Sequence, residues 1–204
     1  MITINRNSKY NRAEEVFKSY NGFARAGQLT ESGLSYSNIK DLQEEGSIEK
    51  VKRGLYKWHK LELENDEGLI EVSKAIPKGV ICLLSSLSFY GLTTHNPWEY
   101  YIAIPHSAKK PSLDYPPVRV FYYTNRYYNG GVDEVDLDGH LVNIYNMEKT
   151  LCDCIRYRNR IGIDIVKESF RSYMARPDKD LNKLVNYSVE FRVKTFVKRY
   201  LEVL

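Results

Sequence analysis

The stretch "LSYSNIKDLQEEGSIEKVKRGLYKW", residues 34–58, decides how the first part of the chain folds. Ser35 is positioned to cap a helix over residues 36–45, because its side-chain oxygen can accept a hydrogen bond from a free amide of the first turn. Gly46 then ends this helix, since glycine readily adopts the left-handed conformation that follows a helix. The order of a capping residue, a short helix and a glycine therefore predicts a compact helical element followed by a turn.

The remainder of this stretch has the composition of paired strands. Residues 48–58 are rich in Val, Tyr, Trp and Leu and have Gly54 near their centre, which predicts a β-hairpin. The alternation of apolar and polar residues is imperfect at Lys50 and Val51, so we expect a bulge or a short first strand there. The tip of this hairpin is basic.

Two further helices precede residue 34. After Asn11, a capping residue, apolar residues recur at the spacing of one helix face, which predicts an amphipathic helix. A shorter helix over residues 26–32 ends at Gly33. Only a few residues separate the second helix from the third, so the two must cross steeply, as in a helix-turn-helix. Three helices followed by a hairpin predict a winged helix-turn-helix DNA-binding domain over residues 1–60.

The composition changes after residue 60. The segment "LELENDEGLIE", residues 61–71, carries five acidic residues and no basic one, and we place an acidic linker with a connecting helix at residues 61–78. Residues 79–204 form the predicted second domain. It opens with "VICLLSSLSFYGL", residues 80–92, which we interpret as a buried helix that stops at Gly91.

β-Rich runs and then helices fill the rest of the second domain. The runs "YYIAI", "VRVFYY" and "LVNIY" are separated by Pro, Gly and Asn clusters, which is typical of a small sheet. From Asn146, which is predicted to cap the first of them, the sequence predicts helices to the end. We therefore expect an α+β protein, in which the winged helix-turn-helix precedes a C-terminal α/β domain.

Composition limits the class of protein. The chain has 204 residues, 43% hydrophobic and 27% charged, and no apolar run of the roughly 18 residues that a membrane span needs. We see no secretory signal, and the three cysteines lack a disulfide spacing, so we expect a cytoplasmic protein with free thiols. The net charge of +4 is uneven: residues 1–60 carry +4, residues 61–148 carry −6 and residues 149–204 carry +6. Two basic ends indicate a polyanion partner, although solvated helix faces give the same excess.

The predicted third helix and hairpin offer groups that suit duplex DNA. The helix N-terminus and its early side chains can reach base edges or phosphates, whereas the acidic residues later in the helix would be repelled by DNA. Cations of the hairpin supply phosphate contacts, which contribute affinity and salt dependence more than sequence choice. The predicted DNA-binding residues are Ser35, Tyr36, Ser37, Lys40, Lys50, Lys52, Arg53 and Lys57. The alternative is a winged helix used only for protein contacts.

A second group of cations lies near the C-terminus. They extend a DNA track, form a separate interaction face, or only keep helices soluble; these three interpretations stay open. The group consists of Arg156, Arg158, Arg160, Lys194, Lys198 and Arg199.

Signals of catalysis are weak. Cys152 and Cys154 sit in an amphipathic helix, so core thiols explain them better than a zinc site with His140 does. The acidic residues between Asp133 and Glu148 could belong to a metal-dependent nuclease, but a further acidic residue on a neighbouring strand is missing, and a solvated hairpin is the simpler interpretation. We therefore expect no metal, no cofactor and no enzymatic activity, and keep the nuclease as an alternative.

Three segments together resemble a known family. The run "LTESGLSYSNIKDLQEEGSIEKVKRGLYKW" resembles the N-terminal winged helix of the AbiEi antitoxins of type IV, abortive-infection toxin-antitoxin systems. "CLLSSLSFYGLT" is similar to a helix of that family that ends in a Gly-Leu-Thr motif, and "NMEKTLCDCIR" is similar to its "ERTLxDxLR" helix. The resemblance covers residues 10–173.

The resemblance implies a protein with two activities. In this phage-defence family the winged helix binds inverted repeats upstream of its own operon and represses transcription. The C-terminal domain neutralises a co-expressed toxin that resembles nucleotidyltransferases, without a stable complex. Carried over to this chain, the early residues of the third helix would read DNA, while Lys52 and Arg53 would hold its backbone. We interpret Gly91 and Glu148, which keep the family pattern, as determinants of the fold. A protein-binding adaptor remains a further hypothesis.

Overall fold

The structure is a computed structural model that describes the backbone of residues 3–203 and the side chains of residues 8–202. Its fold is mixed α and β. No helix among these residues is long and apolar enough to cross a membrane.

The first part of the chain combines short helices with a small antiparallel sheet. Its elements are α1 (Thr3–Ser19), β1 (Phe23–Arg25), α2 (Ala26–Glu31), α3 (Tyr36–Glu44), β2 (Ile48–Lys52) and β3 (Leu55–Trp58). The strand order is β1-β3-β2, so the hairpin β2-β3 carries β1 on its outer side. The register shifts between Lys50 and Lys52, which confirms the predicted bulge. Strand β1 was not predicted, because three residues are too few to display an alternating pattern.

One apolar cluster joins the helices of this part to the hairpin. Ile39 and Leu42 of α3 are buried against Leu29 of α2 and Trp58 of β3. The Trp58 ring stacks on Phe17 of α1 with ring centroids 5.3 Å apart. Since α3 and the hairpin share this core, their orientations are set by the same contacts.

The second part of the chain is a mixed sheet with helices around it. Its elements are α4 (Glu67–Ala75), β4 (Val80–Ile81), α5 (Leu83–Phe89), β5 (Tyr100–Pro105), β6 (Val118–Tyr123), α6 (Asn125–Asn129), β7 (Val132–Leu137), β8 (His140–Tyr145), α7 (Met147–Arg156), α8 (Arg158–Ile161), α9 (Ile163–Ala175), α10 (Leu181–Glu190) and α11 (Lys194–Val203). The strand order is β6-β5-β4-β8-β7. The predicted strands at β5, β6 and β8 are confirmed, and so is the acidic hairpin, which is β7-β8.

Successive residues of the central strands belong to two different cores. On β5, Tyr101 and Ala103 pack against the helices α5, α7, α9, α10 and α11, whereas Ile102 and Ile104 pack towards α4. This alternation follows from the period of two in a strand. The sheet therefore lies between the C-terminal helices on one face and α4 on the other.

The start of residues 80–92 differs from the prediction. Val80 and Ile81 form β4 at the centre of the sheet, where Ile81 pairs with both Ile102 and Ile144. The helix begins only at Leu83 and ends before Gly91, which has a φ of +64°. The β-branched pair at the start favours the strand, and its burial on both faces hides the alternation that would have revealed it.

The hairpin part packs directly on the sheet part. Phe23 and Leu55 belong to the same apolar cluster as α4, Leu137 and Val142. The Asn21 side chain donates to the Gly139 carbonyl over 2.9 Å. The domain boundaries at residues 60 and 78 stay predictions.

A buried histidine at this contact predicts a pH effect. His140 is 1% exposed and packs edge-on against Phe23. Burial, with the nearby charge of Lys74, lowers the pKa of His140 below its ordinary 6.5. The unfolded chain then binds a proton at a higher pH than the folded chain, so stability is lost as pH falls below about 6.5. We expect the melting temperature to drop between about pH 7 and pH 5, and His140→Leu to flatten this dependence.

The matched control for this measurement is His106→Leu, because His106 is exposed on the loop after β5. It should leave the slope of melting temperature against pH as in the parent chain. Equal slopes for the parent chain and the His140 variant would contradict the assignment.

Candidate nucleic-acid interface

The N-terminal turn of α3 is held by a reciprocal cap. The Ser35 hydroxyl accepts from the Asn38 amide over 3.1 Å, and the Asn38 side chain accepts from the Ser35 amide over 3.0 Å. This confirms the predicted capping role of Ser35. Because the hydroxyl serves the cap, the neighbouring side chains carry the outward chemistry: Tyr36 is 74% exposed and Ser37 is also exposed.

Acidic residues of α3 are bound to cations of the protein. Lys9 of α1 contacts Asp41 at 3.2 Å and Glu45 at 3.0 Å. Lys40 lies 3.5 Å from Glu44 in an exposed pair, which holds it only weakly. The first turn thus presents polar and aromatic groups without carboxylates, and the helix N-terminus adds a partial positive charge.

The tip of the hairpin presents exposed cations beside α2. Lys50 and Arg53 are exposed. The Gly54 carbonyl accepts from the Ala26 amide over 3.0 Å, which ties the tip to the start of α2. Arg25, an exposed residue of β1 that pairs with Leu55 next to the tip, was not among the predicted DNA-binding residues. Because β1 was not predicted, nothing in the sequence indicated that Arg25 lies beside the hairpin tip.

Lys52 lies on the inner side of the hairpin. Its ammonium donates to the Ala75 carbonyl at the end of α4. Burial and the charge of Arg25 lower the pKa of Lys52. The residue was expected to hold a phosphate, but the bulge after Lys50 turns it towards α4, so we remove it from the candidate surface.

Lys57 is enclosed by carboxylates. Its ammonium lies 3.1 Å from Glu49, 2.6 Å from Glu67 and 2.8 Å from Glu71, and its side chain is 13% exposed. Burial opposes its charge, but the hydrogen bonds that its ammonium donates to these carboxylates raise the pKa of Lys57 overall. A cation neutralised in this way joins the hairpin to α4, so we also remove Lys57 from the DNA surface.

The C-terminal cations are divided between the surface and aromatic rings. Arg156 lies 3.6 Å from the centroid of the Tyr127 ring, and Arg158 donates to the Ile155 carbonyl and lies 4.4 Å from the Phe196 centroid. Exposed members of the predicted second basic face are Arg160, Lys194, Lys198 and Arg199. The structure therefore does not bring all six together on one solvent-facing surface.

Two acidic residues of the alternative nuclease hypothesis differ in their surroundings. Glu148 is buried and accepts a hydrogen bond from Tyr173 over 2.8 Å, whereas Asp133 lies exposed on β7. Cys152 and Cys154 are buried free thiols, which agrees with their interpretation as core residues. Within the part of the chain that the structure describes, no three His, Cys, Asp or Glu side chains form a group that could hold a metal ion.

The segment that contains α3 and most of the hairpin matches a known protein family. Residues 11–56 match the AbiEi antitoxin family. Its description reads "Transcriptional regulator, AbiEi antitoxin". The match to AbiEi confirms the resemblance seen in the sequence and covers α2, α3, β1, about half of α1 and most of the hairpin; the two C-terminal segments that carry the resemblance lie outside it. AbiEi proteins are thus described as regulators that act as antitoxins.

The whole chain is similar in fold to a solved structure. It matches the crystal structure of the RV2827C protein from Mycobacterium tuberculosis with a TM-score of 0.59 and 12% sequence identity. The match covers 96% of this chain and 81% of that chain. At this identity the likeness establishes the fold alone. The comparison with curated proteins gave no match.

Proposed function

We propose that this protein is the antitoxin and autorepressor of a type IV toxin-antitoxin system, acting in the cytoplasm. The N-terminal part works as a winged helix-turn-helix that binds inverted repeats in its own promoter. The C-terminal part antagonises a nucleotidyltransferase-like toxin without a stable complex. The observation that carries this proposal is the exposed, carboxylate-free first turn of α3 on one core with a basic hairpin, within the segment that matches AbiEi.

In this proposal α3 enters the major groove with its N-terminal half. Tyr36, Ser37 and Lys40 face the base edges and nearby phosphates, while Ser35 holds the helix start in place. The pairing of Asp41 and Glu45 with Lys9 supports this orientation, because it keeps two carboxylates away from the phosphates.

The hairpin contacts the phosphate backbone beside that groove. Lys50 and Arg53 of the original prediction remain in this role, and Arg25 joins them. Phosphate contacts of this kind position a protein on the duplex and release counterions, so binding is expected to weaken as salt increases.

The experiment is fluorescence anisotropy of the full chain on labelled DNA from upstream of its own gene, with a scrambled duplex as control. We expect binding to the upstream DNA to be about a thousandfold tighter than to the scrambled duplex at physiological salt. Weak and equal binding to the two duplexes would contradict a sequence-reading repressor. Neutralisation of the toxin is tested separately, by co-expression in cells with and without residues 79–204.

A further inference from the structure

A groove between three C-terminal helices lies outside the proposed DNA surface. It has a volume of about 560 Å³, which is in the range of small-molecule sites. Helix α9 contributes Ile163, Lys167 and Arg171, whose spacing of four residues puts them on one helix face. The other lining residues are Arg158 from α8 and Phe196, Arg199 and Tyr200 from α11.

The lining is cationic and contains no acidic side chain. Arg171 and Arg199 form no ion pair or hydrogen bond with any residue whose side chain the structure describes. Lys167 has only a distant contact of 3.5 Å with Asp164, whose side chain is 92% exposed. Water screens such a contact strongly, so the groove retains a positive charge that attracts an anion.

Two aromatic side chains and Ile163 form the apolar part of the lining. Tyr200 stacks on the buried Phe170 at 5.1 Å and 16°, which fixes its ring. Arg158 is held by its bond to the Ile155 carbonyl and lies against Phe196. Ile163 is 49% exposed at one end of α9. An aromatic ring packed among these groups would bury apolar surface and stack on a preordered partner.

We propose that this groove is a binding site for a nucleotide. The base lies against Ile163, Phe196 and Tyr200, and the phosphates bind the free guanidinium groups of Arg171 and Arg199. A planar guanidinium suits phosphate oxygens because it can donate two parallel hydrogen bonds. The combination of a flat apolar wall with unpaired arginines distinguishes a nucleotide from inorganic phosphate, which needs no aromatic wall. This site does not depend on DNA binding by the N-terminal part.

Isothermal titration calorimetry of the full chain tests the site with ATP, adenosine and inorganic triphosphate at physiological salt. We expect ATP to bind more tightly than either of the other two, because only ATP uses both the apolar wall and the cations. Triphosphate binding as tightly as ATP would overturn the proposal and leave a general anion site. Absence of ATP binding would also overturn it. So would binding of an acidic peptide such as oligoglutamate by a chain that does not bind ATP.

Paired substitutions locate the site. Arg171→Gln with Arg199→Gln is expected to weaken ATP binding by about tenfold or more, since each guanidinium makes charge-assisted hydrogen bonds to phosphate. Arg160→Gln with Lys194→Gln removes the same charge from α8 and α11 outside the groove lining and is expected to leave ATP affinity unchanged. An equal loss in both pairs would mean nonspecific attraction. Thermal unfolding verifies that each variant is folded. A further variant, Tyr200→Leu, keeps an apolar side chain and should lower the affinity for ATP but not that for triphosphate.

Discussion

Lys149→Met is expected to lower the free energy of unfolding by about 3–5 kcal/mol, measured by urea denaturation at neutral pH. Lys149 is fully buried in α7 and forms an ion pair with Asp153, which is also fully buried. The rings of Tyr145, Phe191 and Tyr123 surround its ammonium, with centroids 4.3, 4.6 and 5.0 Å away. Removal of this cation leaves a buried carboxylate with Arg156, 3.5 Å away, as its remaining cation, and this loss of compensation lowers the stability.

Two controls separate the lost charge from lost packing. Burial raises the pKa of Asp153, so Asp153 without Lys149 should take up a proton in acid, and the deficit of the single variant should shrink as pH falls. Lys149→Met with Asp153→Leu removes both charges and should recover most of the stability, because apolar replacement of a buried pair is often neutral. A double variant as unstable as the single one would assign the effect to packing.

Lys50→Glu with Arg53→Glu is expected to weaken binding to upstream DNA by about a hundredfold at physiological salt, because two charge-assisted phosphate contacts are lost. Both residues are exposed at the hairpin tip and neither forms an ion pair with the residues whose side chains the structure describes. Each lost phosphate contact should also reduce the slope of log affinity against log salt by about 0.9. Anisotropy titrations over a range of salt measure both quantities.

The matched control changes the net charge by the same amount elsewhere. Lys18→Glu with Lys78→Glu alters exposed lysines on α1 and before β4, outside the first turn of α3 and the hairpin tip. This pair should reduce affinity much less, since it leaves the proposed contacts intact. If both pairs weakened binding equally, the hairpin would not be the phosphate-binding element, and only the overall charge would matter.

Much of the local structure was predictable from single residues. Ser35 caps α3 and Asn146 caps α7, as expected from side-chain oxygens that bond to free amides three residues later. Gly91 follows the end of α5 with a positive φ. Helix caps and stops depend on residues close in sequence, so the tertiary contacts around them do not change them.

The sequence did not show which hairpin lysines are available to DNA. Lys50, Lys52 and Lys57 look equivalent in sequence, but a one-residue bulge and the approach of α4 give them different surroundings. Only Lys50 faces water. The role of a lysine ammonium depends on whether it contacts a carboxylate, a carbonyl or water. Residues distant in sequence supply the carboxylates and the carbonyl in this case.

The sequence by itself determined the caps of α3 and α7, the helix stop at Gly91, the two basic ends and the likeness of residues 11–56 to AbiEi. These depend on short-range hydrogen bonding, on periodicity and on composition. Only the tertiary structure decided which cations are free. It turned Lys52 and Lys57 towards α4, buried Lys149 beside Asp153, and gathered Arg158, Arg171 and Arg199 around one groove. The reason is physical: Coulomb energies depend on distance and on access to water, and both are fixed only when the chain has packed.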